Sequence, residues 1–251
     1  MAGILKVDQI QNTDGVNIMD LQNGNLRLWD GDDYKNFTVP GSLIGIETFT
    51  SQDGISSVTS TSGGSGKWIK PEGCTHVLVY VTGGGGGARI NDNSYRGAGG
   101  GGGATAIKYI DVSNVSEVLY TYGSGGDASR NGGRGLSGGS SSFGAYCTAT
   151  GGEGGCTDYP YEGGKGGDAY GGDINIPGGS GEMSHGDNRE GGGGSSFWHK
   201  PGSNHHYSSS GSQNTHGQWG SGGGYGYYSQ NSWGYSNSNG GAGSVIIWSY
   251  T

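Results

Sequence analysis

The sequence predicts an all-β protein: a small, jelly-roll-like β-sandwich with long glycine-rich loops, preceded by a short extended N-terminal segment. Three observations lead to this prediction. Glycine supplies 61 of the 251 residues, against about 7% in average proteins. Several runs are rich in β-branched and aromatic residues, which favour strands. No stretch shows the 3.6-residue periodicity of an amphipathic helix.

The strongest strands are predicted in the middle and at the end of the chain. Residues 74–82 are apolar on both faces through their middle, which is typical of a central strand covered on both sides. Residues 106–112 and 118–122 are further β-rich runs. Residues 244–250 form another, so the glycine-rich middle is expected to loop out and return to the same sheet. Lys70 to Gly73 predict a type I turn, with Pro in its second position and Gly in its fourth.

Composition divides the chain into an N-terminal segment, residues 1–45, and a glycine-rich β-sandwich domain, residues 46–251. The apolar runs of the first segment are short and are separated by turn dipeptides such as Asn23-Gly24. None is long enough to build its own core, so the segment is expected to dock on a partner or associate with copies of itself. The candidate docking residues are Ile4, Leu5, Val7, Ile10, Ile18, Leu26, Leu28 and Trp29.

The glycine content poses a thermodynamic problem. Ordering glycine costs roughly 0.5–1 kcal/mol more than ordering alanine, so a small core offsets little of the total. Three outcomes are open: disorder, glycine segments packed backbone to backbone, or association with identical chains. The 10% aromatic content argues against disorder. A homotrimer is expected, because shared cores relieve the glycine penalty and multivalent contacts raise avidity.

Charge and cysteine content exclude several classes of partner. The formal net charge is −8, and a nucleic-acid binder needs a lysine- and arginine-rich surface. Cys74, Cys147 and Cys156 form neither a disulfide framework nor a zinc motif, and they fit folding in a reducing cytoplasm. No signal peptide or span of ~20 apolar residues is visible, so we expect neither secretion by that route nor membrane insertion.

No motif predicts an active site, a cofactor or a metal. Repeats of the G-x-G-x-x-G type arise from composition alone, without a strand–turn–helix setting. Residues 163–170 fit one calcium-binding repeat, but such a site needs tandem copies to complete its oxygen cage. His199, His205, His206 and His216 cluster without the alternation of a metal-threading motif. We therefore expect a protein that is not an enzyme and holds no metal.

Aromatic residues set among Gly, Ser and Asn form the candidate binding surface. Rigid aromatic rings beside adaptable hydrogen-bonding residues are the chemistry of binding loops, and flat rings also suit stacking on sugars. An equally weighted alternative is that these rings pack inward and give the glycine layers a core. The candidate residues are Trp198, His199, His205, His206, Tyr207, Trp219, Tyr225, Tyr227, Tyr228, Trp233 and Tyr235, with Phe197 beside them.

The order of several short motifs resembles the glycine-rich domain of bacteriophage tail fibres. The motifs are Thr48-Phe49-Thr50, residues 66–73, residues 76–87, residues 138–152 and residues 240–248. Separately, the opening MAGILKVDQIQNTDG is similar to the start of fibre-type structural proteins of marine tailed phages. Together the two resemblances cover nearly the whole chain.

The resemblance implies a virion fibre protein, or adhesin, assembled in the host cytoplasm. Its N-terminus would dock to the tail, the fibre base or the capsid. Glycine/aromatic loops of residues 123–243 would form a distal surface that recognises a host surface glycan or outer-membrane protein, with the aromatic set above as receptor-binding residues. The alternative is a purely structural capsid- or tail-decorating fibre or cement protein without a receptor.

The resemblance also offers a packing mode for glycine. Some related adhesins pack glycine runs as parallel polyglycine II helices, with three residues per turn, and residues 83–87, 99–103 and 191–194 are candidates here. Most other glycine blocks are short and interrupted by Asp, Lys, Tyr or Arg. These interruptions favour irregular loops that extend from the sandwich, in place of a regular polyglycine lattice.

Overall fold

The computed structural model describes all atoms of most of the glycine-rich domain and the backbone of four N-terminal strands. The described ranges are 9–11, 17–22, 25–29, 34–36, 41–51, 62–89, 97–129, 133–156, 162–183, 191–200, 216–224 and 238–251. Within them the protein is all-β, and no helix is long and apolar enough to cross a membrane. The strands are β1 Gln9–Gln11, β2 Asn17–Gln22, β3 Asn25–Trp29, β4 Tyr34–Asn36, β5 Leu43–Phe49, β6 Gly64–Ile69, β7 His76–Thr82, β8 Thr105–Asp111, β9 Glu117–Tyr122, β10 Ser141–Phe143, β11 Cys147–Ala149, β12 Ala169–Tyr170, β13 Ile174–Ile176 and β14 Ser244–Tyr250.

The N-terminal segment forms an antiparallel sheet of its own, in the order β1-β2-β3-β4. Gln22 pairs with Asn25, so the two residues Asn23 and Gly24 connect β2 to β3. The pairing of Gln22 with Asn25 agrees with the turn that the Asn-Gly dipeptide predicts between these strands.

The rest of the described chain builds two antiparallel five-stranded sheets. Their strand orders are β12-β11-β10-β9-β6 and β13-β8-β7-β14-β5, which we call the polar sheet and the apolar sheet from their outer faces, described below. The C-terminal strand β14 lies between β7 and β5, so the prediction that the chain returns to the same sheet is confirmed. The arrangement is consistent with the predicted small β-sandwich.

The core lies between the inner faces of these sheets. Val77, Val79 and Val81 of β7 alternate inward and are fully buried. From the polar sheet, Trp68 meets Phe143 edge-on at a ring-centroid distance of 5.9 Å. Trp68 Nε1 also donates to Glu47 Oε1 at 2.9 Å, which satisfies the only polar atom of the buried indole.

The turn before β7 differs from the prediction by one residue. Cys74 N donates to Pro71 O at 3.1 Å, so the turn runs from Pro71 to Cys74 and places Gly73 in its third position. Gly73 has a φ of 76°, the value that a type II turn requires there. The type I register was therefore wrong: the positive φ at Gly73 decides the turn.

Every strand of the sandwich except β5 and β6 leads into or out of a glycine segment, directly or through one residue. The ten described segments are 83–89, 98–104, 123–129, 135–139, 150–156, 163–168, 178–182, 191–195, 220–224 and 238–243. They lie side by side beyond one end of the sheets, and we call them the glycine lattice. Segment 83–89, for example, continues β7 and segment 98–104 leads back into β8.

Hydrogen bonds of the lattice repeat every three residues. Gly83, Gly86 and Arg89 donate to segment 98–104, at 3.0, 2.8 and 2.8 Å. Gly84 and Gly87 donate to segment 135–139, and Gly85 and Ala88 to segment 238–243. Successive residues therefore donate to three different neighbouring segments, and every third residue donates to the same segment, as on the three sides of a threefold helix. This is the periodicity of the polyglycine II conformation.

Two segments are central and the other eight surround them. Segment 83–89 is hydrogen-bonded to six neighbours, and so is 98–104; they share 150–156 and 220–224. The eight outer segments follow one another around this pair in chain order, each bonded to the next. Gly240 N donates to Gly126 O at 2.9 Å, so the last segment closes the ring onto the third. A single chain thus completes a hexagonally packed bundle.

The expectation of irregular loops was wrong, and the interruptions that favoured it have a structural cause. The two central segments are buried along their whole length and consist almost entirely of glycine and alanine. Outer segments instead follow a G-G-x pattern, in which two residues face the lattice and the third faces outward. Asp127, Lys165 and Asp168 are such third residues, and all three are exposed. Neighbouring segments also run in mixed directions rather than all parallel: 83–89 is antiparallel to 98–104 and parallel to 123–129.

Candidate functional site at the distal end of the glycine lattice

The lattice has two distinct ends. Gly83, Ala104 and Gly243 lie at the end that adjoins the strands, which we call the junction. Six residues further on, Arg89 and Ala98 lie at the distal end, about 19 Å away at a rise of ~3.1 Å per residue. There the two central segments are joined by a pair of hydrogen bonds, Arg89 N to Ala98 O at 2.8 Å and Ala98 N to Arg89 O at 3.3 Å.

Five excursions of the chain begin and end at the distal end. Arg89 and Gly224, for example, are the last lattice residues before two of these excursions. Ala98 and Ser238 are the first lattice residues after the same two. The excursions themselves lie outside the described residues and span 90–96, 130–132, 157–161, 184–190 and 225–237. The fold therefore brings five segments that are far apart in sequence to one end of a single rigid bundle.

Several described side chains towards this end are polar and tie neighbouring segments together. Asn239 accepts a hydrogen bond from Ala128 N at 2.8 Å and donates to Asp127 Oδ1 at 3.0 Å. Arg134 forms an ion pair with Glu153 at 3.1 Å, with both side chains about half exposed. The sequence interpretation missed these pairs. The G-G-x spacing, which places Asp127 and Glu153 on outward positions, was the signal that could have found them.

Three predicted binding residues lie at the junction instead. Trp198 Nε1 donates to Thr82 Oγ1 at 3.0 Å, and its ring meets Tyr80 at 5.2 Å. His199 N donates to Ser196 Oγ at 3.1 Å, and Ser196 Oγ donates to Trp219 O at 2.6 Å. Trp198 thus packs beside the outer face of the apolar sheet, and Trp219 occupies a tight turn with a φ of 48°. For Trp198 the structure gives neither a distal position nor a place in the sandwich core.

Of the remaining predicted residues, eleven lie outside the described part of the chain and five are described by their backbone alone. His205, His206 and Tyr207 fall in 201–215, which follows Lys200 at the junction. Strands β1 to β3 contain five of the candidate docking residues, and only the backbone of these five is described. The other residues outside the described part are Tyr225, Tyr227, Tyr228, Trp233, Tyr235, Ile4, Leu5 and Val7; the five backbone-only residues are Ile10, Ile18, Leu26, Leu28 and Trp29.

Titratable groups are perturbed mainly in the sandwich. The Tyr109 amide, which donates to Asp173 Oδ2 at 2.9 Å, and the nearby Lys108 ammonium lower the pKa of the Asp173 carboxyl. Burial raises the pKa of the Cys147 thiol to about 11, so this thiol stays protonated and unreactive near neutral pH. Burial also lowers the pKa of His216, which favours its neutral ring.

Neither a metal centre nor a calcium repeat is assembled among the residues that the structure describes. No group of three or more His, Cys, Asp and Glu side chains there is placed to hold a metal ion. The calcium-like stretch 163–170 is an outer lattice segment running into β12. Its backbone bonds lie within the lattice: Gly164 N donates to Gly99 O and Gly167 N to Gly102 O, both at 2.9 Å.

The comparison with protein families agrees with this architecture. Residues 59–249 match the model of a family described as a glycine-rich domain. The match begins shortly before β6 and ends within β14, so it includes both the strands from β6 onward and the whole lattice. A search among curated proteins finds no match to the chain.

Proposed function

Because the chain belongs to the glycine-rich domain family through residues 59–249, we propose that it is a phage virion fibre protein whose distal lattice end presents host-recognition segments. In this proposal the N-terminal segment docks to other virion proteins, and the glycine lattice holds the presented segments at a fixed spacing. The partner on the host is a surface glycan or an outer-membrane protein.

The convergence of five excursions at one end carries the proposal. Binding residues are commonly found on loops that a rigid scaffold positions. Here the scaffold is a bundle whose backbones are hydrogen-bonded to one another throughout, and its distal end is about 19 Å from the sheets at ~3.1 Å per residue. Segment 225–237 contributes Tyr225, Tyr227, Tyr228, Trp233 and Tyr235, and Tyr and Trp are the residues that most often carry binding energy.

One observation favours the alternative, a purely structural capsid- or tail-decorating protein. Three of the aromatic and histidine candidates, Trp198, His199 and Trp219, hold the junction together instead of lying at the distal end. Part of the aromatic content is therefore explained by architecture. A structural protein would use the remaining aromatic residues in the same way.

Replacing segment 225–237 on assembled particles distinguishes the two functions. A Gly/Ser sequence of equal length leaves Gly224 and Ser238, and so the lattice, in place. A longer deletion such as 191–240 would also remove two lattice segments and half of a third. We expect adsorption to host cells to fall at least about tenfold, because losing even one aromatic anchor costs ~2 kcal/mol or more.

The matched control replaces 52–61, which lies between β5 and β6 and contains none of the candidate binding residues, by Gly/Ser of equal length. Particles with the control segment should adsorb like unmodified ones, and immunoblots should show equal incorporation of all three proteins. Full adsorption by particles lacking 225–237 would favour the structural alternative.

A further inference from the structure

The apolar sheet has an outer face that no described residue covers along most of its length. Strand β7 was expected to be covered on both sides, yet Leu78 and Tyr80, which point away from the core, are only half-buried. At one edge Phe197 and Trp198 lie against Tyr80, with ring-centroid distances of 6.2 and 5.2 Å. Beyond them the face is open within the described part of the chain.

Strand register places a continuous apolar row across this face. Ile46 of β5 pairs with Trp248 of β14, Trp248 with Leu78 of β7, and Leu78 with Tyr109 of β8. Ile46 is 51% exposed and Tyr109 54%. The next row pairs Tyr80 with Ile107, and Ile107 with Ile174, which is 57% exposed. These two rows contain no charged residue.

The opposite sheet shows what an ordinary solvent face of this protein looks like. On the outer side of the polar sheet, Lys67 pairs with Glu117 at 2.9 Å. Thr121 and Ser142 share a hydrogen bond of 2.9 Å on the same side. Ile69 and Leu119 are also exposed on this side, but they pair with Glu117 and Lys67 across the strands. The outer face of the apolar sheet differs in having two rows without a charged residue, and a large uncovered apolar face marks an interaction surface.

We propose that the apolar sheet's outer face, defined by the row Ile46–Trp248–Leu78–Tyr109, packs against the same face of a second copy of this chain. Charge permits a second copy: although each chain carries −8, the two rows offer a surface without acidic groups through which two copies can approach. Glu47, next to Ile46 in β5, points inward and accepts the Trp68 indole hydrogen bond. Asp173, which accepts a hydrogen bond from the Tyr109 amide, and Asp111, two residues after Tyr109, lie at the Tyr109 end of the row. Aligned stacking of two sheets ~10 Å apart is an ordinary way to bury such faces.

Size and symmetry fit this pairing. Four strands of seven residues and the three-residue β13, spaced ~4.8 Å apart, give a face of about 500 Å² in projection. That approaches the ~800 Å² of accessible surface that each partner buries in a standard interface. A face that binds its own copy forms a closed twofold pair. The homotrimer expected from the sequence rested in part on glycine packing between chains. The lattice removes that reason, because it closes within one chain.

Segment 201–215 of the same chain is a poor substitute for the second copy. It follows Lys200 next to this face, but Tyr207 is its only large apolar residue. The inference does not depend on what the distal end recognises, so its test is independent of host adsorption.

Sedimentation equilibrium of the full-length protein tests the inference. We expect the unmodified protein to sediment at twice its chain mass of 25.5 kDa. Ile46→Glu and Tyr109→Glu each place a carboxylate in the apolar row of both copies. Each change should weaken association about a hundredfold or more, because the carboxylates would be buried without a partner. Leu119→Glu is the control, since Leu119 is 65% exposed on the polar sheet and its variant should remain paired.

A further variant guards against loss of folding. Thr48→Lys changes an exposed polar residue on the same outer side of β5, so it should fold normally and still weaken the pair. A protein that sediments as a single chain at every concentration, forms a trimer, or associates equally in all four variants would overturn the inference.

Discussion

Gly86→Ala should destabilise the protein by about 3 kcal/mol or more, at the upper end of overpacking effects. Gly86 lies in the middle of a central segment, where a Cβ atom would overlap the carbonyl oxygen of Glu153. Neighbouring segments cannot move aside easily, because they bond one another all round. Among described glycines, positive φ is confined to Gly41, Gly73, Gly144, Gly171 and Gly220, so at Gly86 the absence of a side chain matters and φ does not.

The matched control is Gly45→Ala. Gly45 lies in β5 without a positive φ, and a methyl group added to its Cα would meet no atom within 4 Å. There alanine should be neutral or stabilise by ~0.4–1 kcal/mol through the unfolded state. Denaturant unfolding of both variants measures the difference; equal midpoints would contradict close packing at Gly86.

Trp68→Ala should cost about 3–5 kcal/mol, as for other fully buried large aromatic residues. Trp68 is completely buried between the sheets, and its removal leaves a cavity beside Phe143. It also leaves Glu47 Oε1 without the indole donor. Trp68→Phe keeps part of the ring volume and loses only the hydrogen bond and some contact, so it should be clearly milder.

Leu119→Ala provides the baseline for this series, because Leu119 is 65% exposed and surface changes usually stay within ±0.5 kcal/mol. The same unfolding experiment measures all three variants. If Trp68→Ala unfolded within about 1 kcal/mol of the unmodified protein, close to the scatter of a surface change, the packing of the two sheets around Trp68 would be contradicted.

Strands with long apolar runs could be predicted from the sequence. Residues 74–82, 106–112, 118–122 and 244–250 became β7, β8, β9 and β14, because each carries enough β-branched and aromatic residues to be recognised locally. Strands β10 to β13 were not predicted, since each has only two or three residues. Their position depends on the glycine segments that flank them.

The glycine lattice could be predicted only in part. The uninterrupted runs 83–87 and 99–103 were candidates for polyglycine II packing, and they became the two central segments. The outer segments were interpreted as loops because charged residues interrupt them. In a threefold helix, however, an interruption at every third position leaves two glycine faces free for packing, so Asp127 and Lys165 are compatible with the lattice.

Local composition could not place the candidate binding residues for a similar reason. Local composition marked Trp198 and Tyr225 as equivalent aromatics among glycines. Which end of the lattice each segment reaches depends on the direction of every preceding segment, and direction is a property of the whole topology. Trp198 follows a segment that runs towards the sheets, and it therefore stacks on Tyr80.

The central claim is that one chain completes a hydrogen-bonded glycine lattice, and amide hydrogen exchange measured by NMR tests it most directly. Every amide from Gly83 to Ala88 and from Gly99 to Ala104 donates to a backbone carbonyl, so all of these amides should exchange slowly, near the global unfolding limit. In segment 163–168, Gly164 and Gly167 donate into the lattice and should be protected. Lys165 and Gly166, whose amides have no backbone acceptor in the described part of the chain, should exchange fast. Uniformly fast exchange across 83–88 and 99–104 would contradict the lattice and restore irregular loops.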